Sequence, residues 1–227
     1  MEYKNLLKDS KAYYEDNDYY EIFSIAEDGE NKVANYLESL VNNKIVLDAG
    51  CGTGKFLPIL ESTSAKYIGV DLSSNQLEKA KAKSKKESSL FINASLASIP
   101  LEDNSIDLII STWVLGTITD LTEREKCLTE LKRVLKPNGQ IILVENAENS
   151  EFEELRNRTS DNRTKDYNTW ILENGFITEK EIDTYFFFNS LEEAKKCFEV
   201  IYGKTISNKI KSNKIEHKIV IFKYQNQ

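Results

Sequence analysis

The chain has 227 residues, 40% of them apolar, which suits one α/β domain with a sheet wrapped on both faces. Lys and Arg number 30 against 37 Asp and Glu, and a net charge of -7 offers no overall positive field for nucleic-acid phosphates, so no nucleic-acid partner is expected. Cys51, Cys127 and Cys197 are odd in number and show no C-x-x-C pairing, which argues against a disulfide framework or a zinc site and fits a reducing, cytoplasmic setting. No metal is expected. The charged opening Met1–Asn5 and the lack of any apolar run near ~20 residues predict neither a signal peptide nor a membrane span.

Residues 1–43 hold Tyr3, Tyr13, Tyr14, Tyr19, Tyr20, Phe23 and Tyr36. They predict a helical lid over a ligand cleft, with Tyr14 and Tyr20 as candidate substrate contacts; an amphipathic helix that packs its tyrosines on the core fits equally. Residues 44–227 then form the cofactor-binding core of a single domain. Short continuous apolar runs, Ile45-Val46-Leu47, Tyr67-Ile68-Gly69-Val70, Leu108-Ile109-Ile110 and Ile141-Ile142-Leu143-Val144, read as parallel strands covered on both faces. Between them, Ser73-Ser74-Asn75-Gln76, Thr122-Glu123-Arg124-Glu125 and Ser190-Leu191-Glu192-Glu193 are capping boxes that open helices. Lys79, Lys81, Lys83, Lys85 and Lys86 form the solvated face of the first of these. Lys136-Pro137-Asn138-Gly139 closes the second and turns the chain into a strand. A strand near 177–188, a helix near 191–201 and a last strand near 216–223 add an antiparallel edge pair. The whole predicts a doubly wound, Rossmann-like fold: a mostly parallel seven-stranded sheet with an antiparallel C-terminal strand and helices on both faces.

Ligands of such sheets sit at the carboxyl ends of the strands. There, Val46-Leu47-Asp48-Ala49-Gly50-Cys51-Gly52-Thr53-Gly54-Lys55-Phe56 runs from a buried strand into three alternating glycines and a helix, leaving bare backbone for a ligand and helix N–H groups for an anion. About 17 residues past Gly54, Gly69-Val70-Asp71-Leu72 ends the next strand with a carboxylate suited to both hydroxyls of a ribose. Dinucleotide binders carry G-x-G-x-x-G, whose third glycine would fall where this chain has Lys55. The spacing therefore favours S-adenosylmethionine, with Asp48 placed for its ammonium, directly or through water.

From about Lys44 onward the chain resembles the class I S-adenosylmethionine-dependent methyltransferases, in particular their small-molecule branch. The resemblance rests on Val46–Phe56, Gly69–Ser73, Asn93–Asp107 and Leu131–Glu145, the last containing the Leu135-Lys136-Pro137-Asn138-Gly139 turn. It implies that Asp48, Gly50, Cys51, Gly52, Gly54, Asp71 and Leu72 hold the cofactor, with Ser95 and Leu96 at the adenine and Ser111 and Thr112 passing the sulfonium. It makes Trp113 the start of the acceptor pocket, although a core aromatic fits that position as well. Ser95 stands where relatives carry an acid, and Val114-Leu115-Gly116-Thr117 lacks the histidine common there, so no catalytic base is assigned. Glu145, Asp120 and an N-terminal tyrosine are candidates by position alone, and His217 is read as structural or surface. Arg156, Arg158 and Arg163 belong to a polar stretch near 148–170 that covers the acceptor side. Methyl transfer to a small molecule is the expected function. A non-catalytic S-adenosylmethionine-binding protein and a NAD-dependent oxidoreductase stay open as alternatives.

Overall fold

A computed structural model describes residues 17–226. Two helices, α1 (Asn17–Ala26) and α2 (Lys32–Glu38), precede β1 (Ile45–Ala49). There follow α3 (Leu57–Thr63), β2 (Lys66–Asp71), α4 (Ser74–Lys83), β3 (Leu90–Asn93), β4 (Ile106–Thr112), a 3-10 turn at Leu115–Thr117, α5 (Leu121–Val134) and β5 (Leu135–Asn146). Three helices, α6 (Glu151–Leu155), α7 (Arg158–Asp161) and α8 (Arg163–Glu173), lead to β6 (Ile177–Phe187), and α9 (Leu191–Tyr202) and α10 (Lys204–Ser207) to β7 (Lys214–Gln225).

The seven strands lie in the order β3-β2-β1-β4-β5-β7-β6. All neighbours up to β5 pair in parallel, and β7 runs antiparallel to both β5 and β6, as the sequence predicts. The apolar runs are continuous because successive residues serve opposite faces. Val46, Leu108, Ile142 and Val144 meet Val33 and Leu37 of α2 and Leu57 and Leu60 of α3. Leu47, Ile109, Ile141 and Leu143 meet Leu128 and Leu131 of α5 and Ile171 of α8. A third cluster closes the far end of the sheet, where Ala194, Cys197, Phe198 and Ile201 of α9 share one stripe against Phe23 of α1, Phe152 of α6 and Phe186 of β6.

Two of the expected caps form: Ser73 Oγ accepts from Gln76 N and Ser190 Oγ from Glu193 N. The α5 cap lies two residues earlier than expected. Asp120 Oδ1 accepts from Glu123 N at 2.9 Å, because a carboxylate outcompetes Thr122 for the helix's free amides. Lys136–Gly139 is a bulge inside β5 rather than a turn before it. Leu135 already pairs with Ile106, and the ladder resumes at Gln140 opposite Leu108. The α4 lysines are also more than a solvated face, since Lys79 reaches Asp18 (3.2 Å) and Lys83 reaches Glu21, both on α1. Among the described residues no helix is long and apolar enough to cross a membrane.

Candidate functional site

The carboxyl ends of β1, β2 and β4 carry the glycine loop, Asp71 and Trp113 to one edge of the sheet. Gly50, Gly52 and Gly54 all have positive φ, at 81°, 53° and 78°. Gly50 is obligatory in shape as well as angle, because a Cβ there would stand 2.4 Å from Val114 Cγ2. Gly50 N and Cys51 N both donate to Val70 O, at 2.8 and 3.1 Å, which folds the loop back over the end of β2. Gly52 N donates to Asp71 Oδ2 at 2.9 Å. The loop and the acid, 19 residues apart in sequence, therefore meet in one place.

Asp71 is buried, and its other oxygen accepts from Ser73 N at 2.8 Å. Burial raises its pKa even against these backbone donors. Asp48 is buried as well and takes a hydrogen bond from Tyr67 Oη at 2.9 Å. Desolvation pushes its carboxyl up to about 7. Cys51 is tucked into the same floor, and burial pushes its thiol well up, out of the range of a reactive thiolate. The helix after the loop begins only at Leu57, and Gly54 N is bonded to Cys51 O. What the loop presents to a ligand is thus bare surface more than the helix N–H groups expected from sequence.

Just past β3, Ala94 N donates to Asp71 O at 3.1 Å, which holds the start of the Ser95–Leu96 segment beside the end of β2. Ser95 Oγ accepts from Ala97 N at 3.1 Å and keeps a second acceptor position. Leu72 O is held by the Asn93 side chain at 2.9 Å. On the β4 side Ser111 is wholly buried with its hydroxyl on Ala49 O (2.9 Å), and Thr112 is half-buried at the strand end. Trp113 follows in the left-handed region, φ 53°, a costly conformation for a bulky side chain. Its ring is half-buried and its Nε1 is buried without a hydrogen-bond partner. Helix α1 crosses above. Tyr20 Oη lies 3.2 Å from the position a Cβ on Gly52 would take, and Gln76 Oε1 lies 3.1 Å from it. Tyr14, the other tyrosine singled out, lies outside the described residues.

Two charged groups that the sequence left without a role join this edge. Lys55 Nζ stands over the rings of Trp113 (4.5 Å) and Phe56 (5.0 Å) and pairs with Glu27 Oε2 at 3.4 Å. Burial lowers the Lys55 pKa and pushes Glu27 up to about 7. His217 is fully buried in a stack with Phe186 (4.7 Å) and Trp113 (6.2 Å). Its Nε2 lies 2.9 Å from Asn146 Oδ1 and its Nδ1 3.3 Å from Glu27 O. Desolvation drives its pKa down to about 3, so the ring is neutral, donates once and holds the end of α1 against β7. Glu145, on the opposite face, accepts from Tyr167 Oη at 2.6 Å, and burial pushes it up to about 8. Asp120 is spent as the α5 cap, and Arg156, Arg158 and Arg163 pair with Glu153 and Asp161.

The segment 47–143 matches the family model described as a methyltransferase domain. The chain is 37% identical over 106 residues to a demethylmenaquinone methyltransferase of Lactococcus lactis, covering 44% of this chain and 41% of that protein. It is 31% identical over 140 residues to a tRNA (carboxymethyluridine(34)-5-O)-methyltransferase of Arabidopsis thaliana, covering 62% of this chain and 33% of that one. The curated relatives are thus matched over about a third to a half of their length. Among solved structures, the YcgJ protein of Bacillus subtilis superposes with a TM-score of 0.62 at 17% identity, over 87% of this chain and 99% of that one. An S-adenosylmethionine-dependent methyltransferase from Aquifex aeolicus gives 0.57 at 18%, over 91% and 97%. Residues 47–143 are thus similar to a methyltransferase domain, and the strand order is that of a Rossmann-like fold shared with the methyltransferase structures.

Proposed function

We propose that the protein binds S-adenosylmethionine at the glycine edge and transfers its methyl group to a small molecule. The observation that carries this reading is the Gly52 N to Asp71 Oδ2 bond of 2.9 Å, which joins the bare loop and the ribose acid in one cleft. The residues suit the cofactor. Asp71 retains one acceptor position on each oxygen for the two ribose hydroxyls, and Asp48 keeps Oδ1 for an ammonium. The Ser95 hydroxyl and Leu96 N–H flank the adenine, Leu72 lies beside it, and Ser111 and Thr112 carry the backbone past the sulfonium. Gly50, Cys51, Gly52 and Gly54 form the surface beneath the amino-acid tail, and α1 closes the cleft with Tyr20 over Gly52. Trp113 opens the acceptor side.

When bound, the cofactor supplies a methyl carbon already activated by positive sulfur. The protein's part is to align the acceptor and exclude water, and alignment is worth up to ~7–11 kcal/mol. Relatives support a small acceptor: one is named a demethylmenaquinone methyltransferase and one a malonyl-[acyl-carrier protein] O-methyltransferase. The tRNA-directed names among them make RNA the competing acceptor, and the net charge of -7 opposes it.

Calorimetric titration with S-adenosylhomocysteine and with NADH, followed by labelled methyl transfer to small molecules and to bulk tRNA, tests the reading. Saturable S-adenosylhomocysteine binding with transfer to a small molecule is expected. NADH binding alone sinks the cofactor assignment. Label that appears only in tRNA sinks the acceptor class, and binding with no transfer to any acceptor favours a non-catalytic role.

A further inference from the structure

β1 and β2 pair in parallel with Asp48 opposite Gly69, and residues two apart share a face, so Asp48, Tyr67, Gly69 and Asp71 lie on one side of the sheet. Gly69 leaves a gap in that row, and the Tyr67 ring and the Cys51 thiol fill it. A Cβ on Gly69 would stand 3.1 Å from Tyr67 Oη and 2.9 Å from Cys51 Sγ. The bare glycine therefore lets the tyrosine run along its own strand and place Oη 2.9 Å from Asp48 Oδ2. Asp48 is only 4% exposed, and among the described residues this is its one hydrogen bond and no ion pair reaches it. No neighbour supplies a counter-charge. From β2 come the Tyr67 hydroxyl and the Asp71 carboxyl, from the loop the Cys51 thiol, and from β4 the apolar Ile110 opposite Asp48. Helices α2 and α3 turn Val33, Leu37, Leu57 and Leu60 to this face. Tyr20 of α1 and Gln76 of α4 approach Gly52 with neutral oxygens. The loop's own cation, Lys55, is taken by Glu27 and by the ring of Trp113. A buried carboxyl with one neutral donor and a second carboxyl nearby keeps a large share of its protonated form at neutral pH, in keeping with its rise to about 7.

We propose that Tyr67 is a positioning residue for the cofactor's amino-acid tail: it fixes Asp48 Oδ2 so that Oδ1 meets the tail's ammonium, which enters in exchange for the Asp48 proton. The inference rests on the reading of the glycine edge as the S-adenosylmethionine site. It adds to that reading the group that orients Asp48 and the proton that leaves. On binding, the O–H bond of Asp48 breaks, its proton passes to solvent, and the carboxylate left behind pairs with the ammonium. The buried carboxyl is neutral before binding and neutralised after it, so no net charge is buried at either stage. Tyr67 eases the exchange, because its O–H donates to Oδ2 and favours the ionised form.

Calorimetry on the full chain tests this with S-adenosylhomocysteine and with 5′-methylthioadenosine, which has the adenosine and the thioether but no amino-acid tail. Titrations at pH 6.5 in two buffers of unlike ionisation enthalpy count the protons released. At that pH the ligand's ammonium, whose ordinary pKa is about 8, keeps its own proton. The wild type is expected to release about half a proton or more with S-adenosylhomocysteine and close to none with 5′-methylthioadenosine. Asp48→Asn should abolish that difference. Tyr67→Phe, which removes only the hydroxyl, should weaken S-adenosylhomocysteine binding about three- to tenfold at pH 7 and leave 5′-methylthioadenosine affinity within about twofold. The gap to wild type should narrow toward pH 8.5, where Asp48 is ionised in both proteins. A merely structural role for Tyr67 would weaken both ligands alike, or weaken S-adenosylhomocysteine by one factor at every pH, and either result overturns the inference. So does an unchanged S-adenosylhomocysteine affinity in Tyr67→Phe. Wild-type protein that binds both ligands with equal proton release also overturns it and leaves the cofactor reading standing. Binding of neither ligand defeats the cofactor reading itself.

Discussion

Asp71 accepts Gly52 N on one oxygen and Ser73 N on the other, so its side chain both shapes the glycine loop and faces the cleft. Asp71→Ala removes both bonds together with the two acceptor positions left for a ribose. The expected loss is about 1–3 kcal/mol in S-adenosylhomocysteine affinity, and Asp71→Asn, which keeps one oxygen, should fall between. Calorimetry on the three proteins checks the ranking, and equal affinities would remove Asp71 from the site. This residue was legible because the end of β2 falls at a fixed spacing from a glycine loop, and spacing survives in a linear sequence. The Lys55–Glu27 pair was not. Its members are 28 residues apart and meet only because His217, buried at the start of β7, grips the carbonyl at the end of α1. Lys55 entered the sequence argument only as a missing glycine. The burial of Tyr67 against Asp48 was equally hidden, since a tyrosine in an apolar strand shows which face it takes only when the helices are in place.

At the scale of elements, four strands were readable because both faces of each are covered, which makes their sequences continuously apolar. β3 is the exception. It lies at one edge of the sheet, Leu90 is 41% exposed and Phe91 and Ile92 are only half-buried, so it carries too little apolar signal to be picked out. The α1 partners of Lys79 and Lys83 were hidden for a related reason, since a charge run looks alike in sequence whether or not an acidic helix lies opposite. In the fold α1 bridges two anchors over the glycine loop: Phe23 is buried among Phe152, Phe186 and Phe198 at one end, and Asp18 and Glu21 pair with Lys79 and Lys83 at the other. Deleting the helix would therefore open the core as well as the cleft, and altering the charged end is the cleaner probe. Lys79→Glu with Lys83→Glu should raise the dissociation rate of S-adenosylhomocysteine about two- to fivefold, an effect that fades in high salt. Adding Asp18→Lys and Glu21→Lys should restore the slow rate. Stopped-flow displacement measures both, and a rate indifferent to these changes would mean that α1 does not gate the cleft.

Across the whole molecule, the strand order and the antiparallel last strand followed from the alternation of strands and helices, whereas the cost of assembling the functional edge is visible only in three dimensions. Asp48, Glu145 and His217 are buried there, and each gives up its charged form in the folded state. Asp48 and Glu145 are raised from 3.8 and 4.5 to about 7 and about 8, so their contribution is fully present below pH 4 and is lost as pH rises through 7 to 8. His217 is lowered from 6.5 to about 3, so its contribution is present above pH 6.5 and is lost as pH falls toward 3. Between pH 5 and 6 the folded protein holds carboxyl protons on Asp48, Glu145 and also Glu27, raised from 4.5 to about 7, that the unfolded chain has released, against one imidazole proton gained on unfolding. Net stability from these groups therefore falls with rising pH, and above 6.5 the carboxyls alone set the slope. Without cofactor, Tm should be lower at pH 8 than at pH 5.5. Glu145→Gln keeps an acceptor for Tyr167 Oη but has no charge to bury, so it should recover on the order of a few kcal/mol at pH 8 and almost nothing at pH 5. Thermal melts of the two proteins at both pH values decide the point, because a Glu145→Gln gain that is the same at pH 5 and pH 8 would show that Glu145 is already ionised in the folded protein.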